Sequence, residues 1–306
     1  MHYELRIMNY FVSLQEILRE VSYLSQFMRH YLILFATLLL MTASCGGRKS
    51  GDAQDTVPDD STIVADSVSA DSLNINISDI PMPRAADELF DDFVFNFAAN
   101  RKLQMERVAF PLLVVRDNKQ ERMTKAQWQM EYFFMRQGFY TLLFDSEKHM
   151  EVVKDTSVHH AVVEKIFFES GSITQYVFNR LRGTWMLTQM KTIPIQQSTN
   201  SSFLDFYHHF ATSPDFQAQH LGETVKFVGP DPDDDFSMME GVITPDTWEA
   251  FAPELPGDMI YNIIYGESRK ESNTKVFVVR GIANGFELEM TFQRTHGQWK
   301  LTKLTT

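Results

Sequence analysis

The sequence predicts an α+β protein made of two tandem copies of one domain, residues 87–193 and 198–306, each with a helical opening followed by an antiparallel sheet. Three observations carry this. Residues 88–98 are answered by 201–211: Phe90, Asp92, Phe93, Phe97 and Ala98 meet Phe203, Asp205, Phe206, Phe210 and Ala211 at a constant spacing of 113 residues. All four tryptophans fall into corresponding pairs, Trp128 with Trp248 and Trp185 with Trp299. In both copies a helical apolar period gives way to shorter strand-like runs.

The chain opens differently. Residues 31–41 form an apolar run of eleven. A spanning helix needs about 20 such residues, whereas a signal-peptide core needs about 7–15. Arg29 and His30 precede the run, and the small residues Thr42, Ala43 and Ser44 lead into Cys45. This resembles the lipobox of bacterial lipoproteins, with Thr42 where Leu is usual. The resemblance implies that residues 1–44 are a signal peptide and that Cys45 is lipidated and ties the protein to a membrane. Met28 is the more natural start, because Glu4, Glu16 and Glu20 offset Arg6 and Arg19 upstream of it. Residues 1–27 are then an over-extended gene start, or else a short amphipathic helix removed with the rest. Cys45 is the single cysteine, so neither an internal disulfide nor a cysteine metal cluster can form. Gly46–Lys49 lacks the acidic residues that resemble surface-export signals, so the expected location is the outer membrane, facing the periplasm.

Residues 45–86 read as the lipidated cysteine and a disordered linker. Seven aspartates and many serines stand there without one aromatic residue, too little apolar surface to offset ordering entropy. As flexible coil the segment spans on the order of 35 Å root-mean-square. Within it Asp-Ser/Thr-apolar triplets recur at Thr56, Ser61, Ser67 and Ser72. They resemble the acceptor signature of a periplasmic O-glycosylation system; a plain acidic spacer is the alternative.

Each copy then opens on a helix, with Phe90, Phe93, Phe97 and Phe203, Phe206, Phe210 at i, i+3, i+7. Ser201 or Ser202 is the expected cap of the second. A further amphipathic helix is expected at 124–137, its counterpart shortened by Pro245, Pro253 and Pro256. Strands are expected at 139–144, 149–154, 158–168, 173–181 and 184–191, then at 259–265, 274–282, 286–295 and 298–304. Tyr140–Phe144 answers Tyr261–Tyr265, and Phe178, Arg180, Gly183, Trp185 and Leu187 answer Phe292, Arg294, Gly297, Trp299 and Leu301. Gly183 and Gly297 mark the turn of a closing hairpin in each copy.

This element order is similar to the nuclear-transport-factor-2-like cone fold, and tandem cones behind a lipobox resemble a family of uncharacterised bacterial lipoproteins. The resemblance implies two cone-type domains, each a helix region packed in a curved antiparallel sheet. A single-helix cystatin-like fold is the structural alternative. Some cone proteins, such as ketosteroid isomerases, use an Asp base facing a Tyr and a protonated Asp. Here Asp92 and Asp205 recur, as do Tyr140 and Tyr261, but each Asp points away from its helix's apolar stripe.

The formal charge of −12 disfavours nucleic acid, which demands Lys and Arg against phosphate. His159 and His160 would point to opposite faces of a strand, and His208 and His209 lie about 100° apart on a helix, so neither pair chelates one ion. Asp231, Asp233 and Asp235 alternate like the start of a calcium loop, but Phe236 replaces its Gly and Val242 its closing Glu. No metal and no cofactor are expected. The residues expected in a core or pocket are Phe97, Trp128, Tyr140 and Trp185 and their counterparts Phe210, Trp248, Tyr261 and Trp299. No constellation demands chemistry, so the expectation is a non-enzymatic module binding a small molecule or an envelope protein. The alternatives are an isomerase- or hydrolase-like enzyme using one cone pocket, or a structural envelope protein.

Overall fold

The structure, a computed structural model, describes residues 84–231, 233–267 and 272–306. Cys45, Thr56, Ser61, Ser67 and Ser72 lie outside the described residues. Those described belong to one compact unit, Asn74–Thr306. Among them no helix is long and apolar enough to cross a membrane.

The first half begins with a 3-10 turn, Arg84–Asp87, in which Ala86 is already buried, so structure starts inside the stretch expected as linker. Helix α1 (Phe90–Ala99) follows and buries Phe90, Phe93, Val94, Phe97 and Ala98, the expected stripe. Asn100 then caps α2 (Arg101–Arg107), taking the Leu103 N–H on its side chain at 3.0 Å. Strands β1 (Val108–Arg116), β2 (Lys119–Met123), β3 (Phe139–Phe144), β4 (His160–Phe167), β5 (Ser172–Leu181) and β6 (Thr184–Pro194) complete it. The second half runs in the same order: α3 (Ser201–Thr212), α4 (Pro214–Gln219), β7 (Leu221–Asp231), β8 (Asp234–Ile243), β9 (Met259–Tyr265), β10 (Thr274–Gly281), β11 (Glu287–Thr295) and β12 (Gln298–Thr305).

Several expectations are corrected. Residues 124–137 form two 3-10 turns, Lys125–Gln127 and Phe133–Arg136, instead of a helix. The strand expected at 149–154 lies in a 3-10 helix, Glu147–Lys154, started by Ser146 accepting from the His149 N–H at 3.2 Å. The hairpins β1–β2 and β7–β8 were not expected at all. Asn200, not a serine, stands at the N-cap of α3, and the Ser202 hydroxyl instead accepts from Arg294 Nη1 at 2.8 Å and from the Trp299 indole at 3.3 Å.

All twelve strands form one mixed sheet in the order β2-β1-β6-β5-β4-β9-β3-β10-β11-β12-β7-β8. Exchanging each strand for its counterpart in the other half reverses this order without changing it. The residue ranges 87–193 and 198–306, expected as two cones, thus build one continuous sheet. Strand β9 pairs with β4 of the first half, β3 pairs with β10 of the second, and β3 and β9 meet in parallel at the centre.

That exchange explains the sequences of the central strands. Covered on both faces, they read as continuous apolar runs, Phe-Tyr-Thr-Leu-Leu-Phe in β3 and Met-Ile-Tyr-Asn-Ile-Ile-Tyr in β9. Edge strand β2, Lys-Gln-Glu-Arg-Met, is charged and mostly exposed. Along β10, Val276 and Val278 join the core around α1, while Phe277 packs on Phe203 and Tyr207 of α3. The two helices therefore cover opposite faces of β10.

The cores match ring for ring. Phe178 meets Phe90, Phe93 and Phe97 at 5.3, 5.8 and 5.3 Å between centroids. Phe292 meets Phe203, Phe206 and Phe210 at 5.4, 5.5 and 5.2 Å. Such edge-on aromatic pairs add about 0.5–1.5 kcal/mol each beyond burial. Both hairpin turns take the paired left-handed conformation, Arg182 and Gly183 at φ 54° and 81°, His296 and Gly297 at 52° and 82°.

Because β3, β9 and β10 belong to both cores, the two halves should unfold together. The double variants Trp128→Phe/Trp185→Phe and Trp248→Phe/Trp299→Phe, each leaving tryptophans in one half only, are expected to give coincident urea transitions by tryptophan fluorescence. Two separated midpoints would contradict the shared sheet.

Candidate functional site

The most polar interior feature gathers on Glu131, between the two 3-10 turns. Its main chain is held by Gln104 of α2, which is fully buried. Gln104 Oε1 accepts from the Glu131 N–H at 3.1 Å and the Trp128 indole at 3.2 Å. Its Nε2 donates to the carbonyls of Phe97 at 2.9 Å and Glu131 at 2.7 Å. Every hydrogen-bonding position of the amide is filled. The second half repeats the clamp: Gln217 donates to the Phe210 carbonyl at 2.8 Å and accepts from the Trp248 indole at 3.1 Å.

The Glu131 carboxylate receives Tyr176 Oη at 2.9 Å, Tyr261 Oη at 3.1 Å and the Phe133 N–H at 3.1 Å, with Lys165 Nζ at 3.8 Å. Phe133 adopts a left-handed φ of 47°, a costly conformation for a non-glycine residue. Burial first, and the Glu131 charge second, push both phenols well above their ordinary range, so they remain protonated and donate. Glu131, Arg136, Gln137, Lys165, Met259 and Tyr261 line a cleft of about 450 Å³. The Glu131 carboxylate already accepts two O–H donors and an N–H, which leaves few of its lone pairs open toward the cleft. The cleft suits orientation of a polar ligand better than proton abstraction.

The second half lacks this cluster. Lys165 pairs across the sheet with Tyr261, and in the same register Val279 pairs with Thr141. Tyr176 pairs with Val163, and correspondingly Met290 with Phe277. Three residues after Trp128 comes Glu131; three after Trp248 comes Phe251. The fold therefore forms with Phe251, Val279, Thr141 and Met290 in place of the polar set, and the first-half cluster is not required to build it.

The same register corrects the sequence pairing of Tyr140 with Tyr261. Both rings lie on one face of the sheet, each packed on Phe134 at 5.3 and 6.4 Å, and the counterpart of Tyr261 is Thr141. Of the other expected residues, Phe97, Trp128, Trp185, Phe210, Trp248 and Trp299 are all buried, in two cores. Tyr261 also lines the Glu131 cleft, and Trp299 lines a second cleft in the second half.

Asp92 and Asp205 are exposed. The carboxylate that turns inward is Asp91, which accepts a hydrogen bond from the Tyr265 hydroxyl, 174 residues away in sequence. Burial raises the Asp91 pKa, opposed by that bond and by Arg280. Burial and then Asp91 push Tyr265 far up. Asp91 lines neither cleft. A third carboxylate, Glu164, is fully buried on β4, accepts from Gln175 Nε2 at 2.9 Å, and faces Asn262 across the sheet, with its Oε2 and Asn262 Nδ2 outside good hydrogen-bond geometry. Burial raises its pKa, opposed by Gln175 and Asn262. Among the described residues no three His, Cys, Asp or Glu gather to hold a metal. Asp231 caps the Asp233 N–H at 2.9 Å in the β7–β8 turn.

Two outcomes follow. Gln104→Ala strands the Trp128 indole and both main-chain groups of Glu131, and is expected to cost at least about 2 kcal/mol by urea denaturation. Glu164 holds its proton more tightly folded than unfolded, so it contributes stability that is lost as pH rises from about 4.3 through its raised folded value. Glu164→Gln should raise the neutral-pH melting temperature by a few degrees and flatten its decline above pH 5. An unchanged pH profile would contradict a neutral buried Glu164.

Residues 69–306 match a family described as a domain of unknown function, DUF4348. A solved NTF2-like protein from Bacteroides fragilis is similar at 39% identity and a TM-score of 0.67, over 74% of this chain and 98% of that one. No protein of curated function matches. The chain belongs to the DUF4348 family, and its body is an NTF2-like α+β fold.

Proposed function

We propose that the protein is a bacterial lipoprotein, anchored through Cys45, whose NTF2-like body is a non-enzymatic binding module for a small polar ligand. In this reading the body is a duplicated pair of cones fused by strand exchange. The lipobox-like Thr42–Cys45 behind an eleven-residue apolar run supports the anchor, and the Asp-rich stretch to residue 83 supports a spacer, glycosylated at Thr56, Ser61, Ser67 and Ser72. Attachment to the outer membrane, facing the periplasm, accords with the lack of acidic residues in Gly46–Lys49 directly after Cys45.

The observation that carries the binding reading is the Glu131 carboxylate, fixed by Tyr176 from the first half and Tyr261 from the second at the wall of an open cleft. Lys165 and Arg136 add donors, and the Arg136 guanidinium is held over the Tyr132 ring at 3.9 Å. A ligand carrying both a hydroxyl or ammonium group and an acceptor fits this lining. The enzymatic alternative draws on Asp91 and Tyr265, but neither lines this cleft.

A thermal-shift screen of polar metabolites tests it. A ligand at 100 times its Kd stabilises by about 2.7 kcal/mol, several degrees for a body of this size. Glu131→Gln should abolish the shift while leaving the fold intact, and ligand chemically altered on incubation would replace binding with catalysis. In cells, Cys45→Ala should move the protein from membrane to soluble fractions; retention on the membrane would remove the anchor from the proposal.

A further inference from the structure

One site is built in both halves, but only the first half fills it with a residue of its own. In the first half, Asp87 is buried in the 3-10 turn before α1, and its carboxylate accepts from Arg107 Nη1 and Nη2, both at 2.9 Å, and from the Trp185 N–H at 3.1 Å. The hairpin dictates that last bond. With Leu181 and Thr184 flanking the two-residue turn as its bonded pair, Arg180 and Trp185 form the next, non-bonded pair, so the Trp185 N–H points off the ladder.

The second half repeats the register, Thr295 with Gln298 and Arg294 with Trp299, so the Trp299 N–H also points off the ladder. No acceptor among the described residues meets it. His220 stands at the end of α4 as Arg107 ends α2, again 113 residues apart. At the position of Asp87 stands Asn200, whose side chain carries no charge and accepts from Lys275 Nζ at 2.6 Å. What remains is a cleft of about 480 Å³ lined by Ser202, Asp205, His209, His220, Arg294 and Trp299.

Its donors are fixed in place. The His220 ring stacks on Phe216 at 3.8 Å, with Nδ1 against the Phe216 carbonyl at 2.9 Å. His209 Nδ1 faces the Asp205 carbonyl at 2.8 Å. These contacts place a proton on Nδ1 of each ring and fix the ring planes. Arg294 holds its guanidinium 5.1 Å from the Trp299 ring. Asp205 is the one anion in the lining and is exposed.

We propose that this cleft is a receptor for the carboxylate of an exogenous small ligand, bound by the Trp299 N–H, His220 and Arg294 as Asp87 is bound by the Trp185 N–H and Arg107. The site is separate from the Glu131 cleft and does not depend on that reading.

Amide NMR of the intact chain, titrated with acetate and with chloride at equal ionic strength, tests it. Acetate should move the Trp299 amide downfield in a saturable manner, chloride should not, and His220→Ala should weaken the response at least several-fold. The Trp185 amide, already occupied, should stay still, and in Asp87→Ala it should become acetate-responsive. If Asp87→Ala does not fold, the Trp299 response in the unaltered chain decides alone. No saturable Trp299 shift, or an equal shift with chloride, overturns the proposal.

Discussion

Strand β3 lies between two strands of the other half of the chain, and most of what distinguishes this protein follows from that placement. A strand at the middle of a sheet with a helix on either side has no solvent face, so every position of β3, β9 and β10 must be satisfied by packing or by a local partner. Thr141 shows the constraint: it is fully buried, and its hydroxyl turns to the Tyr261 carbonyl at 3.3 Å. The exchange also brings second-half phenols into the first-half core. Tyr261 reaches Glu131 and Tyr265 reaches Asp91 because β9 pairs with β4 of the first half.

The sequence displayed what depends on aromatic spacing. Phenylalanines at i, i+3 and i+7 and tryptophans leading the last strands marked both cores, because large rings tolerate few alternative neighbours. It hid what depends on partners far along the chain. Asp91 looks like a surface residue beside Asp92 until Tyr265 is placed against it. The hairpins β1–β2 and β7–β8 carry no clear periodicity for a local reason: Pro111 and Pro230 interrupt them, and β2 has no apolar face to alternate. The helix expected at 124–137 fails because the Trp128 indole is drawn to Gln104 and Phe133 turns left-handed. Gln104 and Gln217 were themselves 113 residues apart, a repeat signal carried by two polar residues among many.

The two halves act as controls for each other. Where both carry the same residue type, as with the glutamine clamps, the fold needs it. Where one is polar and the other apolar, as with Lys165 against Val279, the polar member answers to something besides folding. Burying Glu164 and Asn262 where the first core has Val278 and Leu142 is unfavourable for stability, and a marginally stable fold retains such groups at a cost.

The reversed strand order has a final consequence for symmetry. A dimer of identical chains joined along β3 and β9 would display every surface feature twice. Joined in one polypeptide, the halves are free to differ, and the chain carries one Glu131 cleft and one Trp299 cleft. In the proposed reading each would take a single molecule, and filling one would leave the other chemically unlike it. Cooperativity between equal sites, the usual product of a two-fold axis, has no basis here; whatever passes between the clefts travels across strands that serve both.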